Sequence, residues 1–396
     1  MFRRLRYSSA GESHGPCLTV LLEGMPAGLP VSAEKIREDL ARRQLPTGAG
    51  GRMAIETDTA RILAGVMEGE TTGAPIALQI ENRDHAKWNG KPIPSYTTPR
   101  PGHADLAALA KYKFDDIRPA LERASARETA CRVAAGSVCR AFLSEFGIRV
   151  GGFVRSIGTV SLPDEAADLE TLVSRAADFP TRIPDPDANE GALREIERAK
   201  QDGETLGGVI EVAVLGAPAG LGSYVTPEER LDARLAAAAV SVPAIKGVEI
   251  GDAFANTRHR GTEVHDPILD DTDGNLLRGS NRCGGIEGGI SNGEPIWLRA
   301  AMKPIPTTLK AQPTVDLANG TKVGTRYERS DFCPVPRAVV VLESVVAMVI
   351  ADALLEKLGG DTMTELRIRY SYLHPLTWGD FGPVGSNETH LFWTTQ

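Results

Sequence analysis

AVVVLESVVAMVIADALL, residues 338–355, is the longest apolar stretch of the chain, and its only charges are Glu343 and Asp352. A bilayer span needs about 20 apolar residues, whereas a helix that is apolar all round is buried in a core. The stretch therefore reads as a buried core helix. It starts near Pro336, a favourable first-turn residue, and stops before Gly359-Gly360. Working outward, strand-like runs appear at 18–22, 148–154 and 209–214. Helical patterns lie between them: 32–43 with Ser32 as cap, 127–146 ending before Gly147, and 231–240 stopping before Pro243. The elements mix without a clean βαβ rhythm, and neither G-x-G-x-x-G nor G-x-x-x-x-G-K-[ST] occurs. The expected fold class is α+β, a layered β-α-β arrangement rather than a Rossmann fold, as a single large domain over 1–396. Residues 161–205, acidic and proline-bearing, read as a peripheral excursion with a helix near 189–200.

The 396 residues carry 44 Lys+Arg against 52 Asp+Glu, a net charge of −8. That excess argues against a nucleic-acid binder, whose basic surface would dominate the count. The charge is uneven. Residues 1–160 hold 22 basic and 17 acidic groups, residues 161–205 hold 5 and 12, and residues 206–396 hold 17 and 23. Arginine outnumbers lysine 33 to 11, which reflects either genome composition or a need for bidentate grip on phosphate and carboxylate. Five scattered cysteines with no C-x-x-C pair fit a reducing compartment. The basic start MFRRLRYSSAGESHG lacks the apolar core of a signal peptide. The chain is expected to be cytoplasmic, off the membrane and without a metal, since Glu263, His265 and Asp266 read as a surface turn.

Several short strings carry chemistry. Gly11-Glu12-Ser13-His14-Gly15 surrounds one histidine with small residues, and Arg100-Pro101-Gly102-His103-Ala104-Asp105 presents a second Gly-His pair. Either pair is a turn, or the two histidines are acid–base groups suited to neutral pH. Residues 122–129, ERASARET, place Arg123 and Arg127 one helical turn apart, with Ser125 and Thr129 as further donors. Their small neighbours favour an anion site over a plain ladder in which Glu122 and Glu128 neutralise the arginines. Residues 284–293 hold five glycines and suit an ordered, ligand-cradling turn. Arg329 and Asp331 form either a structural ion pair or a site at the mouth of the core helix.

Taken together, GESHGPCLTVLLEGMP (11–26), RPGHAD (100–105), ERASARETACRVAAG (122–136), GGISNGEP (288–295) with KPIPT (303–307), and RSDFCPVPRA (329–338) resemble the chorismate synthase family in order and spacing. The departures are local: Ala49 stands where the family often has Arg, Ser330 where many have His, and Phe332 is unusual after the aspartate.

The resemblance implies a β-α-β sandwich, assembled as a homotetramer. It implies a carbon–oxygen lyase that converts 5-enolpyruvylshikimate-3-phosphate to chorismate and phosphate by 1,4-anti elimination, requiring reduced FMN without net redox change. By motif, His14 would give a proton to the leaving phosphate, His103 would protonate or stabilise the reduced flavin, and Asp331 would be the base. Arg43, Arg52, Arg118, Ser125 and Arg127 would bind substrate. Arg123, Ala124, Ser125, Ala255, Asn256, Gly288, Lys303, Pro304, Ile305, Pro306, Thr307 and Arg329 would hold the flavin. Arg43 also matches a position associated with NADPH as reductant. Its companion is Ala49 here, so intrinsic reductase activity is expected to be weak, with a separate flavin reductase as partner.

Overall fold

Helix Val335–Leu358 takes up the apolar stretch, and 22 of its 24 residues are buried, so it has no outward face. Among the described residues it is the one helix long and apolar enough to cross a membrane, and the whole of that window lies inside the protein. The structure, a computed structural model, describes residues 2–45, 47–49, 58–163, 168–328 and 330–381. Helices Thr129–Ser144, Ala33–Arg43 and Leu231–Val240 lie beside the core helix.

Two antiparallel sheets close the helical layer. One runs in the order Arg6–Ala10, Cys17–Glu23, Ile76–Glu81, Ala60–Ala64. Its alternation buries Leu18, Val20 and Leu22 towards the helices. The other runs Ile245–Ile250, Ile296–Met302, Gly208–Leu215, Arg149–Ile157, Val160–Ser161. The result is the α+β sandwich expected from the sequence, with helices between sheets.

The two charges of the 338–355 stretch are fully used. Asp352 accepts the backbone amides of Arg3, Arg4 and Leu5 at 2.9, 2.7 and 2.6 Å and pairs with Arg234. Glu343 accepts the Gly152 amide at 2.9 Å and pairs with Arg42 and Arg140. Buried carboxylates need such partners, and here they tie the N-terminal segment and a central strand to the helix.

The excursion is richer than its composition suggested. Asp185 caps a helix that starts at Pro186 and runs to Gln201, and a second helix, Leu169–Arg175, is capped by Asp168. The segment 181–183 is buried, and Val154 N donates to the Arg182 carbonyl at 2.9 Å. The excursion is therefore peripheral only in part.

Helices Thr129–Ser144 and Val335–Leu358 cross at Gly136, where a Cβ would lie 2.3 Å from the Ser344 Cβ. Gly136→Ala should therefore destabilise the protein by about 1–3 kcal/mol, as expected for overpacking. A denaturant-unfolding midpoint equal to wild type would contradict this contact.

Candidate active site

The loop 11–15 folds back on strand Cys17–Glu23. Gly11 has φ 118°, and a Cβ there would stand 2.5 Å from the Cys17 carbonyl, so the turn requires glycine. Asn82 Nδ2 donates to the Glu12 and Gly15 carbonyls at 3.1 and 2.8 Å. Glu122, in helix Arg118–Arg123, grips His14 twice: His14 N donates to Oε2 at 2.8 Å, and Nδ1 lies 2.8 Å from Oε1. Burial alone would push the Glu122 carboxyl up, but hydrogen bonding and charge from His14 hold it below its ordinary value. The Trp88 ring lies 4.5 Å from the His14 ring, centroid to centroid. Nδ1 is thus engaged by Glu122, which leaves Nε2 as the other ring nitrogen. His14 lines a cavity of about 610 Å³.

The string 100–105 builds another part of the wall. Asp105 is fully buried at the start of helix Asp105–Tyr112. It accepts from Arg100 N, Nε and Nη2 at 3.0, 2.8 and 3.0 Å and sits 2.5 Å from His103 Nδ1. Burial favours its neutral form, yet these bonds from His103 and Arg100 outweigh burial and hold the carboxyl well below the ordinary range. Lys303 Nζ donates to the Gly102 carbonyl at 2.8 Å, and Arg100 Nη1 lies 3.4 Å from Thr307 Oγ1. The segment 303–307 is thereby held beside the second histidine. Burial, with the like charge of Lys246, lowers the Lys303 ammonium.

Arg43 and Arg127 share one carboxylate. Asp58 Oδ2 lies 3.3 Å from Arg43 Nη1, and Oδ1 lies 2.5 Å from Arg127 Nη1. Arg43 also donates to Thr129 Oγ1 and the Ala126 carbonyl, both at 2.9 Å, and Arg127 to Asn82 Oδ1 at 2.8 Å. Ser125 caps the short 3-10 helix Ala126–Glu128, and its hydroxyl bonds that of Ser13 at 3.1 Å. On the remaining wall Asp331 pairs with Arg337, from the first turn of the core helix. The Arg337 Nε is buried without a hydrogen-bond partner. Gly48 braces this wall: its carbonyl accepts Phe332 N and Cys333 N at 3.0 and 3.2 Å.

The cavity collects His14, His103, Asp331, Arg43, Ser125 and Arg127, together with Ala124, Lys303, Ile305, Pro306 and Thr307. Arg52 and Arg329 lie outside the described residues. Arg123 and Arg127 do not share a helix face. Helix Arg118–Arg123 ends before Ser125, whose ψ of 143° is extended, so Arg123 turns out to Ser9 while Arg127 turns in to Asp58. Arg118 stays off the wall, its guanidinium 5.7 Å from the Tyr96 ring centre. Pro304 is also absent from the lining.

Ala255, Asn256 and Gly288 lie elsewhere for a topological reason. Strand Ile245–Ile250 leaves the cavity at Ala244 and runs six residues, roughly 20 Å, before helix Ala253–Asn256. Gly288 turns the hairpin that precedes strand Ile296–Met302, whose other end leads into Lys303. All three thus lie at the end of the sheet opposite the 303–307 segment. The glycine-rich stretch 284–293 is an ordered hairpin.

Five fixed cations face the cavity among the described residues (Arg43, Arg100, Arg127, Lys303, Arg337), against the carboxylates Glu328 and Asp331. Sequence reasoning missed Arg100 and Arg337 as wall residues, although both lie in the quoted strings. It also missed Trp88, Asp58 and the pairing of Glu122 with His14, for which no local signal exists. Among the described residues, no group of three His, Cys, Asp or Glu is placed to hold a metal.

The sequence model of the chorismate synthase family matches residues 5–355. A chorismate synthase from Chlorobaculum tepidum is 50% identical over 382 residues, covering 92% of this chain and 96% of that protein. One from Desulforudis audaxviator is 51% identical over 371 residues, covering 91% and 95%. A crystal structure of a chorismate synthase superposes with a TM-score of 0.78 at 45% identity, covering 94% of this chain and 97% of the other. With a cation-walled cavity, two carboxylate-held histidines and this likeness along nearly its whole length, the chain belongs to the chorismate synthase family.

Proposed function

We propose that this cavity performs the family's reaction, with the lining side chains in the roles given below. The chain is a carbon–oxygen lyase of the shikimate pathway that removes phosphate from 5-enolpyruvylshikimate-3-phosphate to leave chorismate. The observation that carries the site assignment is the wall itself. Five fixed cations and two carboxylate-held histidines surround one cavity, and the substrate brings two carboxylates and a phosphate. Guanidinium forks keep their charge and match these groups bidentately.

Arg43 and Arg127, fixed by Asp58, grip substrate anions, and Arg52 is assigned to the same task. His14 gives a proton to the departing phosphate from Nε2, the ring nitrogen that Glu122 leaves unengaged. A proton and fixed positive charge at the leaving group both lower the barrier to its departure. Asp331 is the base, held towards the cavity by Arg337.

The residues also suit reduced FMN. The Lys303–Thr307 segment is rigid and cationic, Ser125 offers a hydroxyl, and the buried Arg337 Nε lacks a partner. The volume lies within the roughly 300–1,000 Å³ common for small-molecule sites. Reduced FMN held by these residues would supply electron density to the substrate ring without net oxidation. His103, oriented by Asp105, holds or moves the proton beside it.

Ala255, Asn256 and Gly288, at the far end of the sheet, reach such a ligand only from a second copy. We therefore take the working form to be the homotetramer. Light scattering that gives the active enzyme the 42.3 kDa mass of one chain would remove that reading.

An anaerobic assay that follows chorismate absorbance tests the chemistry. Turnover is expected only with reduced FMN. His14→Ala and Asp331→Ala should each lower kcat by about 10²-fold or more, with circular dichroism unchanged. Turnover without flavin would point to a flavin-independent phosphate-ester lyase, and variants of full activity would overturn the residue roles.

A further inference from the structure

Arg182 belongs to the acidic excursion, yet only 4% of its surface is exposed. Its backbone is pinned: Arg182 N donates to the Phe179 carbonyl at 2.9 Å, and its own carbonyl accepts Val154 N at 2.9 Å. At φ 59° it occupies the left-handed region, which side chains with a Cβ adopt only under strain. The fold thus holds this one arginine inward at a conformational cost. Among the described residues its guanidinium makes no hydrogen bond or ion pair, and Nε is sealed from solvent.

The charges that act on it are those of Arg42, Glu343 and Arg140. Glu343 is already saturated. It accepts from Arg42 Nη2 at 2.9 and 2.7 Å, from Arg140 Nη1 at 3.2 Å and from the Gly152 amide at 2.9 Å. Asp39 Oδ1 is shared by Arg42 Nη1 and Arg140 Nη1, each at 3.0 Å. Two carboxylates therefore satisfy two arginines, and the third guanidinium is left over. Burial, and then repulsion from Arg42, lowers its hold on the proton, but arginine remains charged in proteins. A buried charge is kept only where something pairs it.

We propose that Arg182, with Arg42 and Arg140, forms a second anion site, separate from the elimination cavity, that takes a carboxylate. None of the three lines that cavity. One surplus positive charge matches one monoanion, and the free guanidinium fork matches a planar carboxylate bidentately. A phosphate dianion would bring one negative charge more than the surplus it would offset. Entry is from the side of Arg42 and Arg140, whose side chains are each 30% exposed. The carboxylate comes either from a small acid in solution or from a side chain of a second copy.

The test follows thermal unfolding of the full chain and of Arg182→Met as sodium acetate replaces chloride at constant ionic strength. The unbranched methionine keeps the left-handed position without added strain. Acetate should raise the wild-type midpoint saturably. The variant's midpoint should be at least equal to wild type in chloride, and its acetate response at least fivefold smaller. The elimination cavity contributes equally to both proteins and cancels in the comparison. If a second copy supplies the carboxylate, acetate leaves wild type unmoved, and Arg182→Met instead lowers the mass seen by light scattering. Equal acetate responses with unchanged mass would overturn the proposal, as would a response to phosphate alone. Should Arg182→Met fail to fold, Arg182→Lys, which keeps the charge but loses the fork, decides it. A weakened acetate response supports the site, and an unchanged one refutes it.

Discussion

Apart from Lys303, which rests on the Gly102 carbonyl, the cations and histidines of the cavity wall are each held in place by a carboxylate. Asp58 fixes Arg43 and Arg127, Asp105 fixes Arg100 and His103, Glu122 fixes His14, and Asp331 pairs with Arg337. Without such partners, cations this close would repel one another and swing towards solvent. With them, the side chains are set before any ligand arrives. Fixed charge aimed at a developing charge supplies much of the rate enhancement of many enzymes. Asp58, Asp105 and Glu122 stay off the cavity lining while the residues they hold reach it.

These carboxylates are themselves placed by the core helix and the layers around it. An apolar helix with no outward face forces neighbours onto every side. Asp352 then draws in the N-terminal segment that leads to strand Arg6–Ala10 and the His14 loop. The first turn of the same helix delivers Arg337 to the wall. One element thus supplies both the core and one edge of the site.

The fold was legible where a residue type answers a local need. The helix 231–240, the Ser32 cap and the core helix follow from caps, glycines and apolar content. The two histidine strings were legible for the same reason, since Gly11 is required by a close approach. What could not be read was long-range pairing: Glu122 meets His14 across 108 positions and Arg127 meets Asp58 across 69. The split of Arg123 from Arg127 came from a backbone break at Ser125 that helical spacing does not register. The distance of Ala255 and Gly288 from Lys303 is a property of strand length and direction, visible only once the sheet is assembled.

On this reading the carboxylates, buried or half-buried, act on the reaction through the side chains they hold. Glu122→Gln tests it most directly, because Glu122 touches His14 but does not line the cavity. In this variant kcat is expected to fall by about 10²-fold, the scale of a displaced acid–base group, while the dissociation constant for 5-enolpyruvylshikimate-3-phosphate stays within about twofold of wild type. An unchanged kcat, or a loss of substrate affinity as large as the loss in kcat, would contradict it.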